Sequence, residues 1–173
     1  LQAMYNEGLL QRPMAAKTLY EKAQKADSFV VGTKGPEIVA MVDPNCIFCH
    51  LFYEHVMPYV HKGTVRVRFV VAGFLKPSSQ PKAETILSSK DPATAWAYDE
   101  AHFRVRVEEG GAKPDKNPTP AVVKAVEANT HLLSESGEIA TPTLIYREKD
   151  GKYRMIHGLP RDFSGFISQV TAG

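Results

Sequence analysis

The sequence is poor in the features that mark a disulfide scaffold, a membrane span or a polyanion binder. Its 173 residues include two cysteines and one tryptophan, and the formal net charge is +2, with basic and acidic residues mixed along the chain. That balance leaves no basic footprint for nucleic acid. No uncharged apolar run approaches the roughly 18 residues of a spanning helix. The two cysteines, Cys46 and Cys49, stand so close that a bond between them would barely restrict the unfolded chain. A chain of this length is expected to form one soluble globular domain that needs no such staple. The cysteines are therefore expected to serve chemistry. The chain starts at Leu1 with neither an initiator Met nor an apolar signal core, as expected of a processed or trimmed protein that has lost its targeting segment.

What is present reads as an α/β chain. Residues 3–26 are rich in helix formers and predict an amphipathic or exposed helix, or a connector. Ile38–Val42 is a short apolar run suited to a strand buried on both faces. Asp43–Pro44–Asn45 ends it, and a helix is predicted from Cys46 to about His61. Val65, Val67, Phe69 and Val71 alternate with Arg66 and Arg68 as in a second strand. Between about 76 and 136 the proline-punctuated sequence predicts three helices, Ser79–Ser89, Pro92–Glu109 and Pro118–Ser134. Thr143–Arg147 and Lys152–Ile156 flank an Asp150–Gly151 hairpin signal, and a last helix is predicted from about Pro160.

Cys46–Ile47–Phe48–Cys49 places two thiols one helical turn apart where a buried strand runs into a helix. The unpaired N–H groups and positive dipole end of the first turn favour a thiolate at Cys46. Cys46 is then the nucleophile, and Cys49, pointing back toward it, the resolving thiol. Ile47 and Phe48 between them tune the redox poise. His50 either adds a local positive charge or is simply an exposed first-turn residue. C-x-x-C has other uses, and Cys46–Ile47–Phe48–Cys49–His50 is also a literal haem-attachment string, with Met4, Met14, Met41, Met57 and Met155 as candidate distal ligands. The strand entering the motif and the downstream hairpin speak against a c-type haem carrier. A closed zinc site would need four ligands, and no second cysteine pair exists, so no metal is expected. Two buried cysteines acting only as small hydrophobes are a further reading.

Ala140–Thr141–Pro142–Thr143 precedes the strand Leu144–Ile145–Tyr146. Together with a strand, C-x-x-C and helix upstream, it resembles the thioredoxin fold, in which a cis-proline loop packs against the active-site cysteines. The run Asp43–Pro44–Asn45–Cys46, Leu75–Lys76–Pro77, Ile86–Ala93, Thr141–Pro142 and Gly158–Leu159–Pro160 is similar to the periplasmic disulfide isomerase family of DsbC and DsbG, with the DsbG branch nearer. The similarity runs from about Gly35 to the end. It implies a thioredoxin-like fold with a helical insertion, at about 76–136, between the second core strand and the cis-proline loop. It also implies that 1–27 is the family's linker helix, that 28–173 is the catalytic domain, and that the N-terminal dimerisation domain is absent. Pro142 would be cis, and Thr141 would offer backbone to an extended client. The resemblance further implies a periplasmic location and no cofactor beyond the Cys46–Cys49 couple. Its partners would be client proteins with disulfides or sulfenic acids, a membrane electron donor of DsbD type, and a second copy in the full-length homodimer. A departure is Ile47–Phe48, where the family usually has Gly–Tyr or Pro–Tyr.

Other residues receive plainer expectations. Glu37 is read as solvated and Asp43 as a turn or cap residue, neither relaying protons to Cys49. Arg66, Arg68, Arg104 and Arg106 are read as solvated faces. An exposed Phe48 would give a misfolded client an apolar foothold, which also suits a non-redox, chaperone-like binding module.

Overall fold

The computed structural model describes residues 13–171. A helix α1 (Ala16–Lys25) leads into strands β1 (Phe29–Val31) and β2 (Glu37–Val42), helix α2 (Ile47–His61) and strand β3 (Arg66–Val71). Three helices follow, α3 (Ser79–Ser88), α4 (Pro92–Ala101) and α5 (Pro120–Ser134), before the hairpin β4 (Thr143–Arg147) and β5 (Tyr153–His157) and the helix α6 (Phe163–Thr171). The five strands form one sheet in the order β1-β3-β2-β4-β5. Only β2 and β3 are parallel, joined by α2 as the crossover, and the other neighbours are antiparallel.

The central strand β2 is buried along its whole length, as its unbroken apolar run requires. Ile38, Ala40 and Val42 face one layer, where α2 contributes Phe52, Val56 and Val60, α4 Trp96, and α6 Phe166, Ile167 and Val170. Val39 and Met41 face the other layer with Leu19 and Ala23 of α1 and Leu132 and Leu133 of α5. The alternation of the strand thus becomes two cores on opposite faces. Leu19 and Ala23 are fully buried, so α1 packs on the sheet. The stretch expected to be helical before Pro13 lies outside the described residues.

The three-helix insertion sits where it was expected, between β3 and the proline loop. Two elements differ from the sequence reading. The second insertion helix stops at Ala101 and not near Glu109. Beyond it, Arg104 and Glu109 pair as an isolated antiparallel bridge, closed by two backbone hydrogen bonds, with Glu108 at a φ of 53°. The alternating Arg104–Val105–Arg106–Val107 favours this extended reversal over a helix. Strand β1 was not anticipated, because three residues ended by Gly32 carry too little pattern to read.

Arg104 and Arg106 are exposed as expected, whereas Arg66 and Arg68 depart from the solvated reading. Arg68 bonds Glu37 at 3.2 Å, Arg66 approaches it at 3.6 Å, and Gln24 donates to it at 2.6 Å. Glu37 is buried and not solvated, because β2 and β3 run in parallel register and set the arginines beside it. Arg104 pairs with Glu109.

Candidate active site

The end of β2 is turned by one carboxylate. Asp43 Oδ1 accepts from Asn45 N (2.9 Å) and Ser79 Oγ (2.8 Å), and Oδ2 accepts from Phe74 N (2.9 Å) and Leu75 N (3.0 Å). Asp43 is fully buried, so it does more than the turn role expected of it: it ties the β2–α2 turn to the segment after β3. Cys46 N donates to Asp43 O at 3.1 Å, which delivers Cys46 to the N-cap of α2. There its sulfur accepts the Cys49 N–H at 3.1 Å, the place usually taken by a Ser, Thr or Asp oxygen.

Both cysteines are free thiols. Cys46 is 4% exposed and Cys49 fully buried. The Cys46 thiol is held below its ordinary range, chiefly by the Cys49 side chain, then by hydrogen bonding with the Thr141 side chain and the Cys49 backbone, against the cost of burial. Burial and the neighbouring Cys46 push Cys49 well up. The Thr141–Pro142 bond is cis, and Thr141 O accepts from Cys46 Sγ at 3.4 Å. Cys46, Cys49, Thr141 and Pro142 therefore meet, although 95 residues separate the first and third.

Ile47 and Phe48 begin α2, and Phe48 is 54% exposed. A groove of about 400 Å³ opens over Cys46, with Phe48, Leu75, Ile139, Thr141 and Glu108 in its walls. Phe48, Leu75 and Ile139 are all exposed, an apolar concentration in front of the thiol.

Behind the motif the environment is reversed. His50 is not a free first-turn residue. Its Nδ1 lies 2.7 Å from Glu100 Oε2, its Nε2 lies 2.9 Å from Glu54 Oε1, and its ring stacks on Phe103 with centroids 4.5 Å apart. The Glu100 hydrogen bond raises the His50 pKa, and burial raises the Glu100 carboxyl to about 7. Asp99 beside it is also pushed by burial to about 7. Among the described residues, the buried side-chain polar atoms without a hydrogen-bond partner are Trp96 Nε1, Asp99 Oδ2 and Glu100 Oε1, all on α4. Two carboxyls so placed favour holding a proton.

Sequence reasoning passed over Lys82, Asp99 and Glu100. A signal existed, since Lys82 precedes the core residue Ile86 by four positions and Glu100 follows Trp96 by four, placing charge on a buried helix face. Among the described residues, no group of three or more His, Cys, Asp and Glu is arranged to hold a metal ion.

No family model matches the chain. Its sequence is 29% identical over 157 residues to the thiol:disulfide interchange protein DsbG of Pseudomonas aeruginosa, covering 90% of this chain and 59% of that one. It is 30% identical over 153 residues to the protein of that name from Escherichia coli, covering 84% and 58%. The chain is DsbG-like. It spans under two thirds of the length of these curated relatives. Solved structures add the fold. A periplasmic thioredoxin-like protein from Salmonella enterica serovar Typhimurium superposes with a TM-score of 0.68 at 20% identity, over 90% of this chain and 97% of that one. Proteus mirabilis ScsC in a compact conformation gives 0.66 at 18% identity, over 95% and 82%. The DsbG-like chain thus has a thioredoxin-like α/β fold, with the C-x-x-C motif at the strand-to-helix junction and the cis-proline beside it. No helix among the described residues is long and apolar enough to cross a membrane.

Proposed function

We propose that the chain is the catalytic part of a periplasmic thiol-disulfide oxidoreductase that acts on cysteines of client proteins. The observation that carries this reading is the contrast within one helical turn. Cys46 caps α2 and takes the Cys49 N–H on its sulfur, while Cys49 is sealed behind it with a raised pKa. One thiol is prepared to ionise and attack, and the other to wait.

In the reaction, the Cys46 thiolate attacks one sulfur of a client disulfide. That S–S bond breaks, a Cys46–client disulfide forms, and the departing client thiolate takes a proton. Cys49 then loses its proton and attacks the Cys46 sulfur, releasing the second client thiol and leaving a Cys46–Cys49 disulfide. Two electrons pass from the dithiol to the client. A sulfenic acid is reduced similarly, with water leaving at the first attack. Thr141 and Pro142 hold the client backbone over Cys46, while Ile47, Phe48 and His50 tune the couple. A dithiol donor of the DsbD type at the membrane restores the reduced form, and no cofactor takes part. In the full-length protein, residues 1–27 link this domain, 28–173, to an N-terminal dimerisation domain, and the homodimer acts as isomerase.

The test is trapping. Cys49→Ala is expected to accumulate mixed disulfides with a scrambled or disulfide-bonded client, visible as adducts on non-reducing gels, and Cys46→Ala to form none. Adducts through Cys49 alone would overturn the assignment of roles. The exposed apolar groove favours one second reading, a holding module without redox chemistry. It predicts that the double variant Cys46→Ala, Cys49→Ala suppresses client aggregation as well as the unaltered chain, and that neither exchanges thiols.

A further inference from the structure

The residues that flank the cysteine motif, Asn45 and His50, are each gripped by a buried ionisable group of the insertion. For His50 that group is Glu100. For Asn45 it is Lys82 on α3, whose Nζ donates to Asn45 Oδ1 at 2.8 Å and to Gly110 O at 2.8 Å. The Asn45 amide is fully used: Oδ1 also accepts from Gly110 N at 3.0 Å, and Nδ2 donates to Ser78 Oγ at 3.0 Å and Ser79 Oγ at 2.9 Å. Asn45 thus joins the turn before Cys46 to α3 and to the loop after the 104–109 reversal.

Lys82 is anomalous as a structural residue. It is 4% exposed, yet among the described residues no carboxylate forms an ion pair with it. The charged groups around it are Glu109, Asp99, Arg104 and Lys76, and burial lowers its pKa. A buried ammonium held only by neutral acceptors is unfavourable unless something else balances it. The Asp43 carboxylate belongs to the same node, but its oxygens are taken by neutral donors and reach Asn45's amide only through Ser79. The acids whose charge reaches Lys82 are Glu109 and Asp99, and its own hydrogen bonds go to Asn45 and Gly110.

We propose that Lys82 is a positioning residue for Cys46: it locks the Asn45 amide and with it the turn that presents the nucleophile at the N-cap of α2. This rests on the oxidoreductase reading and adds to it that the insertion, and not only the dipeptide between the cysteines, sets the redox poise. A turn locked in this way keeps the Cys46 sulfur on the Cys49 N–H, which favours the reduced, ionised form and so makes the disulfide more oxidising.

The experiment uses the whole chain with Lys82→Met, which keeps length but removes charge and donor, and Lys82→Gln, which keeps a donor. Thiolate absorbance at 240 nm, the pH profile of iodoacetamide alkylation, and equilibration with glutathione are measured beside circular dichroism and melting. Lys82→Met is expected to raise the Cys46 pKa by about one unit, cutting alkylation near pH 6 about tenfold with little change on the alkaline plateau. Its potential is expected to become more reducing, and Lys82→Gln to fall between it and the unaltered chain. A lowered melting temperature with unmoved titration and potential would overturn the proposal, since a purely structural lysine predicts that result. If Lys82→Met does not fold, Lys82→Gln decides on the same readouts. An unaltered chain that exchanges no disulfides at all instead sinks the oxidoreductase reading.

Discussion

The two sides of Cys46 are built from opposite materials. In front lies an open groove with exposed Phe48, Leu75 and Ile139, while behind lies a closed polar node of Asp43, Asn45, Ser79 and Lys82 beside the buried acids Asp99 and Glu100. The groove can exchange contacts with many sequences at little cost to the fold. The node cannot, because each buried donor or acceptor in it depends on the others. The comparison assigns recognition to the front and the geometry and charge of the nucleophile to the back.

The largest break in this contrast is expected from Asp43→Ala. It strands Asn45 N, Phe74 N, Leu75 N and the Ser79 hydroxyl, four donors at the node. At about 1 kcal/mol or more for each, the loss is on the order of 4 kcal/mol. Urea unfolding checks this, and a loss under about 1 kcal/mol would show that the node is not cooperative.

A second effect concerns pH. Asp99 is raised from 3.8 to about 7, so the folded protein keeps a proton there that the unfolded chain releases near pH 4. The resulting stabilisation is complete below the unfolded value and disappears as pH rises through about 7. Glu100, also raised to about 7, acts with the same sign. The unaltered chain should therefore lose stability between pH 4 and 8, and Asp99→Asn should remove on the order of 4 kcal/mol of that loss. Melting curves across this range decide it, and identical slopes would contradict the protonated carboxyl.

The smallest effect on stability belongs to the front. Leu75→Ser and Ile139→Ser, both at exposed side chains of the groove, should change unfolding by no more than about 0.5 kcal/mol. They should slow exchange with a peptide bearing an apolar residue next to its cysteine about fivefold, on the order of 1 kcal/mol of contact, while leaving glutathione exchange unchanged. Equal losses with both substrates would place these residues in the chemistry and erase the division.

Legibility followed the same division. Val39, Met41 and their neighbours, Cys46 and Cys49, and Asp150–Gly151 were readable because buried runs, cysteine spacing and turn pairs act over a few residues. The helical end at Ala101 was overrun because alanine-rich helix former propensity continued into a segment whose valines and arginines alternate. Glu37 was misjudged because its partners Arg66 and Arg68 arrive from another strand. Lys82 and Glu100 carried helical spacing to core residues, but spacing does not say which distant group a buried charge will meet.

The sequence by itself determined the α/β class, the two thiols one helical turn apart, and the proline before the hairpin, since each rests on local geometry and short-range periodicity. Only the tertiary structure decided what surrounds those thiols. The parallel pairing of β2 with β3 brings the segment after β3 to Asp43, and the insertion brings Lys82 and Glu100 to the two residues flanking the motif. Burial then changes what these groups are chemically, because a charge far from water takes its protonation state from neighbours distant in the chain.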